Sequence, residues 1–81
     1  MLAVQFRMAR AALGWGIVEC AERANVSTNT LVRFERGEIL KQTTVDHLRA
    51  VLEDAGIQFV SDDEQGVGVW LKQSAPGRQH Q

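Results

Sequence analysis

The chain has 81 residues, of which 44% are hydrophobic and 23% charged, with one proline and a net charge of -1. That predicts a single small globular domain with a thin stability margin. One cysteine excludes an internal disulfide framework and a multi-cysteine zinc site, and His47 and His80 lie too far apart for a helical ligand pair, so no metal or other cofactor is expected. No apolar run approaches the roughly 20 residues needed to span a bilayer, and the first residues show no charged segment ahead of an apolar one. The expectation is a cytoplasmic protein with no membrane partner.

Leu2, Phe6, Ala9 and Leu13 recur at helical spacing, which predicts a first helix with these residues inward and Arg7 and Arg10 on its flanks. Gly14 stops it. From Gly16 the pattern restarts as a short second helix, with Ile17, Cys20, Ala21 and Ala24 inward and Glu19, Glu22 and Arg23 outward. Asn25-Val26-Ser27 reads as a turn. Ser27 then caps a third helix over Thr28 to Arg36, closed by Gly37, with Leu31 and Phe34 as its inward pair.

Thr43-Thr44-Val45-Asp46 reads as a capping box with Asp in place of Glu, opening a fourth helix whose stripe is Val45, Leu48, Leu52 and Ala55 and whose end is Gly56. The period then changes. Ile57 to Val60 and Val67 to Lys72 predict the two strands of a hairpin, joined by residues 61–66. The expected organisation is a helical domain over 1–56, a hairpin over 57–72 and a flexible tail over 73–81.

The net charge hides an asymmetry. Residues 1–49 carry seven Lys or Arg against five acids, whereas residues 50–81 carry two against five. A polyanion would meet the front of the chain rather than the rear. The run from Glu19 to Gly37 has the same destination: helix, tight turn, helix, with small Ala21 and Ala24 permitting close approach and a polar first turn on the following helix. That is helix-turn-helix geometry, in which the second helix can present its N-terminal residues to the major groove of DNA.

Together with the Ala-Leu-Gly-Trp ending of the first helix (Ala12 to Trp15) and the Phe34-Glu35-Arg36-Gly37 close of the third, this run resembles the Cro/C1-type, or XRE, family of bacterial and phage regulators over about residues 2–56. The resemblance implies a mainly α fold: a four-helix, lambda-repressor-like helix-turn-helix domain, here followed by a C-terminal β-hairpin. It further implies that Thr28, Asn29 and Arg33 touch base edges. The chemistry suits them, since Asn pairs with adenine N6 and N7, Arg with guanine O6 and N7, and the Thr methyl with thymine. Ser27, Thr30, Lys41, Gln42 and Thr43 match positions that reach phosphates. Arg10 and Glu35 match an ion pair that ties the first helix to the third.

Two positions depart from the family pattern. Ile17 stands where a Gln commonly helps hold a phosphate, so contact there falls to backbone N–H groups or Ile17 serves packing; Cys20 replaces the usual Leu and remains an apolar core residue.

An isolated two-stranded hairpin is marginal in water, so this one must pack on the helices or pair with a second copy. Ile57 and Phe59 share one face; Val60 and Trp70 mark a candidate dimer surface. The expected function is sequence-specific binding of double-stranded DNA for transcriptional control, more readily repression than activation, by a homodimer on a palindromic operator with recognition helices roughly 34 Å apart. The competing reading is an antitoxin-like or anti-activator protein whose main partner is another protein, and a bundle that uses the pattern only to pack is the bland alternative. No enzyme is expected, because no nucleophile and base lie at informative spacing and no glycine-rich phosphate loop follows a strand.

Overall fold

A computed structural model describes residues 1–72; the tail expected over 73–81 lies outside them. Four helices, α1 (Ala3–Leu13), α2 (Ile17–Ala24), α3 (Thr28–Glu35) and α4 (Gln42–Asp54), precede an antiparallel hairpin of β1 (Ile57–Asp62) and β2 (Gly66–Leu71). No helix among the described residues is long and apolar enough to cross a membrane.

The predicted stripes meet in one core. Phe6 and Ala9 of α1, Cys20, Ala21 and Ala24 of α2, Leu31 and Phe34 of α3, Val45, Leu48 and Leu52 of α4, and Ile57 of β1 are all buried in it. Full burial of Phe6, Leu31, Leu48, Leu52 or Ile57 contributes about 1.5–3 kcal/mol each. Phe6 and Phe34 meet edge to face, with ring centroids 5.5 Å apart, and join α1 to α3. Burial raises the Cys20 thiol above its ordinary pKa despite the nearby Arg10 charge, so it behaves as the core residue the sequence implied.

The first three helices close alike. In each, a residue with left-handed or turn geometry donates to the carbonyl three back, and the following residue donates to the carbonyl five back, which is the Schellman arrangement. At α1 these are Gly14 to Ala11 (3.1 Å) and Trp15 to Arg10 (2.9 Å); at α2, Asn25 to Glu22 (3.3 Å) and Val26 to Ala21 (3.0 Å); at α3, Gly37 to Phe34 (2.9 Å) and Glu38 to Arg33 (3.1 Å). Gly14 and Gly37 hold φ of 72° and 94°, and Asn25 holds 57°. The residue after each left-handed position is then Trp15, Val26 and Glu38. The first two pack on the core; the third is exposed.

Three expectations need correction. Leu2 is not on the inner face of α1 but is its exposed N-cap. The polar Gln5 takes a buried place instead: its Oε1 accepts from the Leu2 N–H (2.9 Å), while its Nε2 donates to the Val60 and Gly68 carbonyls (3.0 and 3.2 Å). One side chain thereby starts α1 and fastens it to both strands. The Thr43–Asp46 capping box does not form, because α4 begins two residues earlier, with Lys41 rather than Thr43 at the cap position, and the Asp46 carboxylate accepts from the Gln42 amide (2.8 Å). The strands also run further into the connection than predicted. Asp62 Oδ1 accepts from the N–H groups of Gln65 and Glu64 (2.9 and 2.7 Å), which lowers its pKa and builds the turn, and Gly66 takes φ 95°.

Candidate nucleic-acid interface

The turn between α2 and α3 puts the polar start of α3 at the surface. Asn25 reverses the chain, Val26 packs toward the core, and the Ser27 Oγ accepts from the Thr30 N–H at 3.1 Å, satisfying one of the donors left over at the start of α3. Ser27 Oγ and Thr30 Oγ1 also lie 2.8 Å apart, sharing one of their two hydroxyl protons. The other remains to donate outward.

Thr28, Asn29 and Arg33 are exposed on α3. Asn29 and Arg33 are one turn apart, so their side chains neighbour each other on the side away from buried Leu31 and Phe34. Among the described residues nothing hydrogen-bonds the side chains of Thr28 or Asn29, whereas the Arg33 Nε donates to Glu38 Oε1 at 2.9 Å. Among the described residues the two terminal nitrogens of Arg33 are unengaged.

Lys41, Gln42 and Thr43 are exposed around the start of α4. This end lacks a side-chain cap, so its leading backbone N–H groups are open to an anion. Gln42 differs from its neighbours in having its amide already held by Asp46. Between α3 and α4 stands Ile39, 94% exposed and the least covered large apolar residue described. At α2, Gly16 brings no capping side chain, and Ile17 packs against the core.

Beneath this surface lies a braced joint. Arg10 Nε is 2.7 Å from Glu35 Oε2, with the two side chains only 18% and 16% exposed, and its Nη1 donates to the Trp15 carbonyl at 3.0 Å. Arg7 donates to the Glu35 carbonyl at the end of α3 (2.8 Å). The His47 Nε2 donates to the Ala24 carbonyl (2.7 Å), anchoring α4 to the end of α2. Arg23 lies over the Trp15 ring at 4.5 Å while pairing with Glu19. Arg36 and Lys41 have no carboxylate within 4.0 Å among the described residues, so their charge is uncompensated on the α3–α4 side.

On the hairpin, the Ile57–Leu71, Gln58–Trp70 and Val60–Gly68 pairing puts Val60 and Trp70 on one face, opposite the face that carries Ile57 into the core. Trp70 is 64% exposed; Val60 is half-buried. Both line a groove of about 440 Å³ together with Gly66 and Gly68.

Sequence reasoning found Arg10, Glu35 and the exposed row on α3, but passed over Gln5, Glu38 and His47. Glu38 left a signal, an acid directly after the helix-closing glycine and five residues beyond an arginine; the links of Gln5 to the hairpin and of His47 to α2 left none, since the partners there are backbone carbonyls far along the chain. No family model and no curated protein sequence matches this chain, so what the surface does rests on its own side chains.

Proposed function

We propose that the chain is a helix-turn-helix regulator of the XRE type that binds double-stranded DNA sequence-specifically and represses transcription by occluding a promoter. The observation that carries this is the outward face of α3: Thr28, Asn29 and Arg33 are exposed, and among the described residues the first two side chains and the Arg33 terminal nitrogens are unengaged, on a helix held from behind by Phe34, Leu31 and the Arg10–Glu35 pair. A rigid helix with a polar, unsatisfied leading end suits readout of base edges. Ser27, Thr30, Lys41, Gln42 and Thr43 flank it at two helix starts, where hydroxyls, backbone N–H groups and one cation can hold phosphates and set register. Ile17 contributes packing, and phosphate contact there rests on the uncapped backbone of α2.

A chain of net charge -1 gains little from non-specific attraction, so the regulator acts as a homodimer, each subunit adding its own phosphate contacts. The hairpin face bearing Val60 and Trp70 is the dimer surface. It carries both an exposed indole and a groove lined in part by Gly66 and Gly68, the self-complementary combination that a two-fold interface needs. Exposed Ile39 and Trp70 also favour a second reading, an antitoxin-like protein that binds another protein through these apolar groups. No catalysis and no cofactor are part of either reading.

The deciding experiment is selection from a random duplex library, then titration of the winner and a scrambled duplex at two salt concentrations. Enrichment of an inverted repeat with half-sites roughly 34 Å apart, bound far more tightly than the control, is the expected result. Recovery of no motif, with only weak salt-sensitive binding, would favour the protein partner. Sedimentation of Trp70→Ser against the parent chain tests the dimer: the variant should shift toward monomer and lose operator affinity.

A further inference from the structure

The acidic residue beside the proposed base reader is out of place on a DNA-facing surface. Glu38 is exposed, close to the outward row of α3, and its carboxylate would repel a phosphate backbone. Its position is nevertheless set by the backbone. It follows Gly37, whose φ of 94° closes α3, and its N–H is bonded to the Arg33 carbonyl at 3.1 Å. In a Schellman closure the residues at these two positions bring their side chains together, commonly as an apolar contact. The same motif at the ends of α1 and α2 places Trp15 and Val26 there, both packed against the core. Only α3 places an acid there, and its partner is Arg33, through Nε at 2.9 Å.

We infer that Glu38 is a positioning residue for Arg33, so that the element reading the base is the Arg33–Glu38 pair held by the Gly37 closure, and Arg33 alone reads less selectively. This rests on the DNA-binding reading above. A guanidinium is planar and has five N–H donors, one on Nε and four on the terminal nitrogens. Engaging Nε with Glu38 fixes the plane and leaves the two terminal nitrogens, the fork that can meet guanine O6 and N7 together. The flexible stem is ordered before DNA arrives, which lowers the entropy lost on binding. The carboxylate also opposes alternative poses in which Arg33 turns to a nearby phosphate, because that move breaks the pair and leaves Glu38 facing the backbone unpaired. Glu38 thus sacrifices general affinity for discrimination.

The test uses the full chain and the duplex recovered by selection, with each of the four base pairs placed in turn at the position where Arg33→Ala abolishes preference. Affinities are measured for the parent, Glu38→Ala, Glu38→Gln, Arg33→Ala and the double variant, alongside a random duplex. Glu38→Ala should bind the random duplex more tightly yet lose about fivefold of the preference at that one position, part of the roughly 5- to 150-fold carried by a bidentate contact. Glu38→Gln keeps a carbonyl oxygen able to accept from Nε; it should retain that preference within about twofold while showing the same gain on random DNA. In the Arg33→Ala background, Glu38→Ala should change preference no further. In the DNA-free chain, the Arg33 Nε–H resonance should lose its rigidity in Glu38→Ala and keep it in Glu38→Gln.

If Glu38→Ala tightens binding to all four base pairs equally and leaves the preference intact, Glu38 is only a charge and the inference fails while the DNA reading stands. If the parent chain itself prefers no sequence, the DNA reading fails and the inference with it. Unfolding midpoints of the variants separate either result from loss of fold.

Discussion

The two sides of α3 are each held by an Arg–Glu pair of nearly the same length, and the pairs do different work. Arg10–Glu35 faces α1 at 2.7 Å with its side chains under a fifth exposed; Arg33–Glu38 faces outward at 2.9 Å with both side chains nearly half exposed. Solvent screens the outer pair, which gives it little weight in stability. The inner pair has lost much of its water, so each charge depends on the other, and Arg10 further depends on the Trp15 carbonyl. Distance alone therefore says little about what a pair contributes. Surroundings decide whether it braces the fold or stays a solvated surface pair.

The comparison can be broken most forcefully from beneath. Phe34→Ala removes a buried ring and its edge contact with Phe6, and should cost about 3–4 kcal/mol in urea unfolding, loosening the inner side of α3 as a whole. Glu35→Ala strands the Arg10 charge at a site that still touches water. We expect a loss of about 2 kcal/mol, below that of a fully buried pair, and a double-mutant cycle with Arg10→Ala should show clear coupling. A cycle with no coupling would erase the contrast between the two sides.

Gln5→Ala sharpens the same comparison from the hairpin side. It leaves the Val60 and Gly68 carbonyls without their bond to α1 and should cost about 1–2 kcal/mol, with amide exchange rising in the hairpin ahead of the helices. Gly37→Ala acts on the outer side through the backbone. A side chain at φ 94° is strained although nothing lies within 4 Å of the added carbon, so a loss of about 1 kcal/mol is expected, with weakened Arg33–Glu38 pairing. The smallest effect belongs to Arg33→Ala and Glu38→Ala, each expected to move stability by less than about 0.5 kcal/mol. An Arg33→Ala destabilisation as large as that of Glu35→Ala would show that the outer pair braces the fold after all.

Much of the architecture was legible from spacing. Leu31 and Phe34 read as inward because they lie three apart in a short polar helix, and Gly14 and Gly37 read as stops because a left-handed closure favours glycine. Spacing left the first turn of that helix polar, and the family resemblance, not the period, singled out Thr28, Asn29 and Arg33 on it. Periodicity was misleading at Leu2, where an apolar residue fell on the stripe but before the first helical turn, leaving it outside the core. The expected capping box of α4 had suitable letters, but Gln42 lies one turn before Asp46 and reached its carboxylate.

What the amino-acid order determined by itself is local: four amphipathic helices, their closures, a hairpin, and one polar helix start that faces away from the core. These follow from side-chain period, capping oxygens and the conformational freedom of glycine, all of which act within a few residues. Only the tertiary structure decided that Gln5 is the buried link to carbonyls 55 and 63 residues away, that His47 secures the end of α2, and that one Arg–Glu pair is sheltered while the other is wet. The reason is physical. Polar partners are chosen by what folding brings within hydrogen-bond reach, and the value of a charge is set by how much water folding leaves around it.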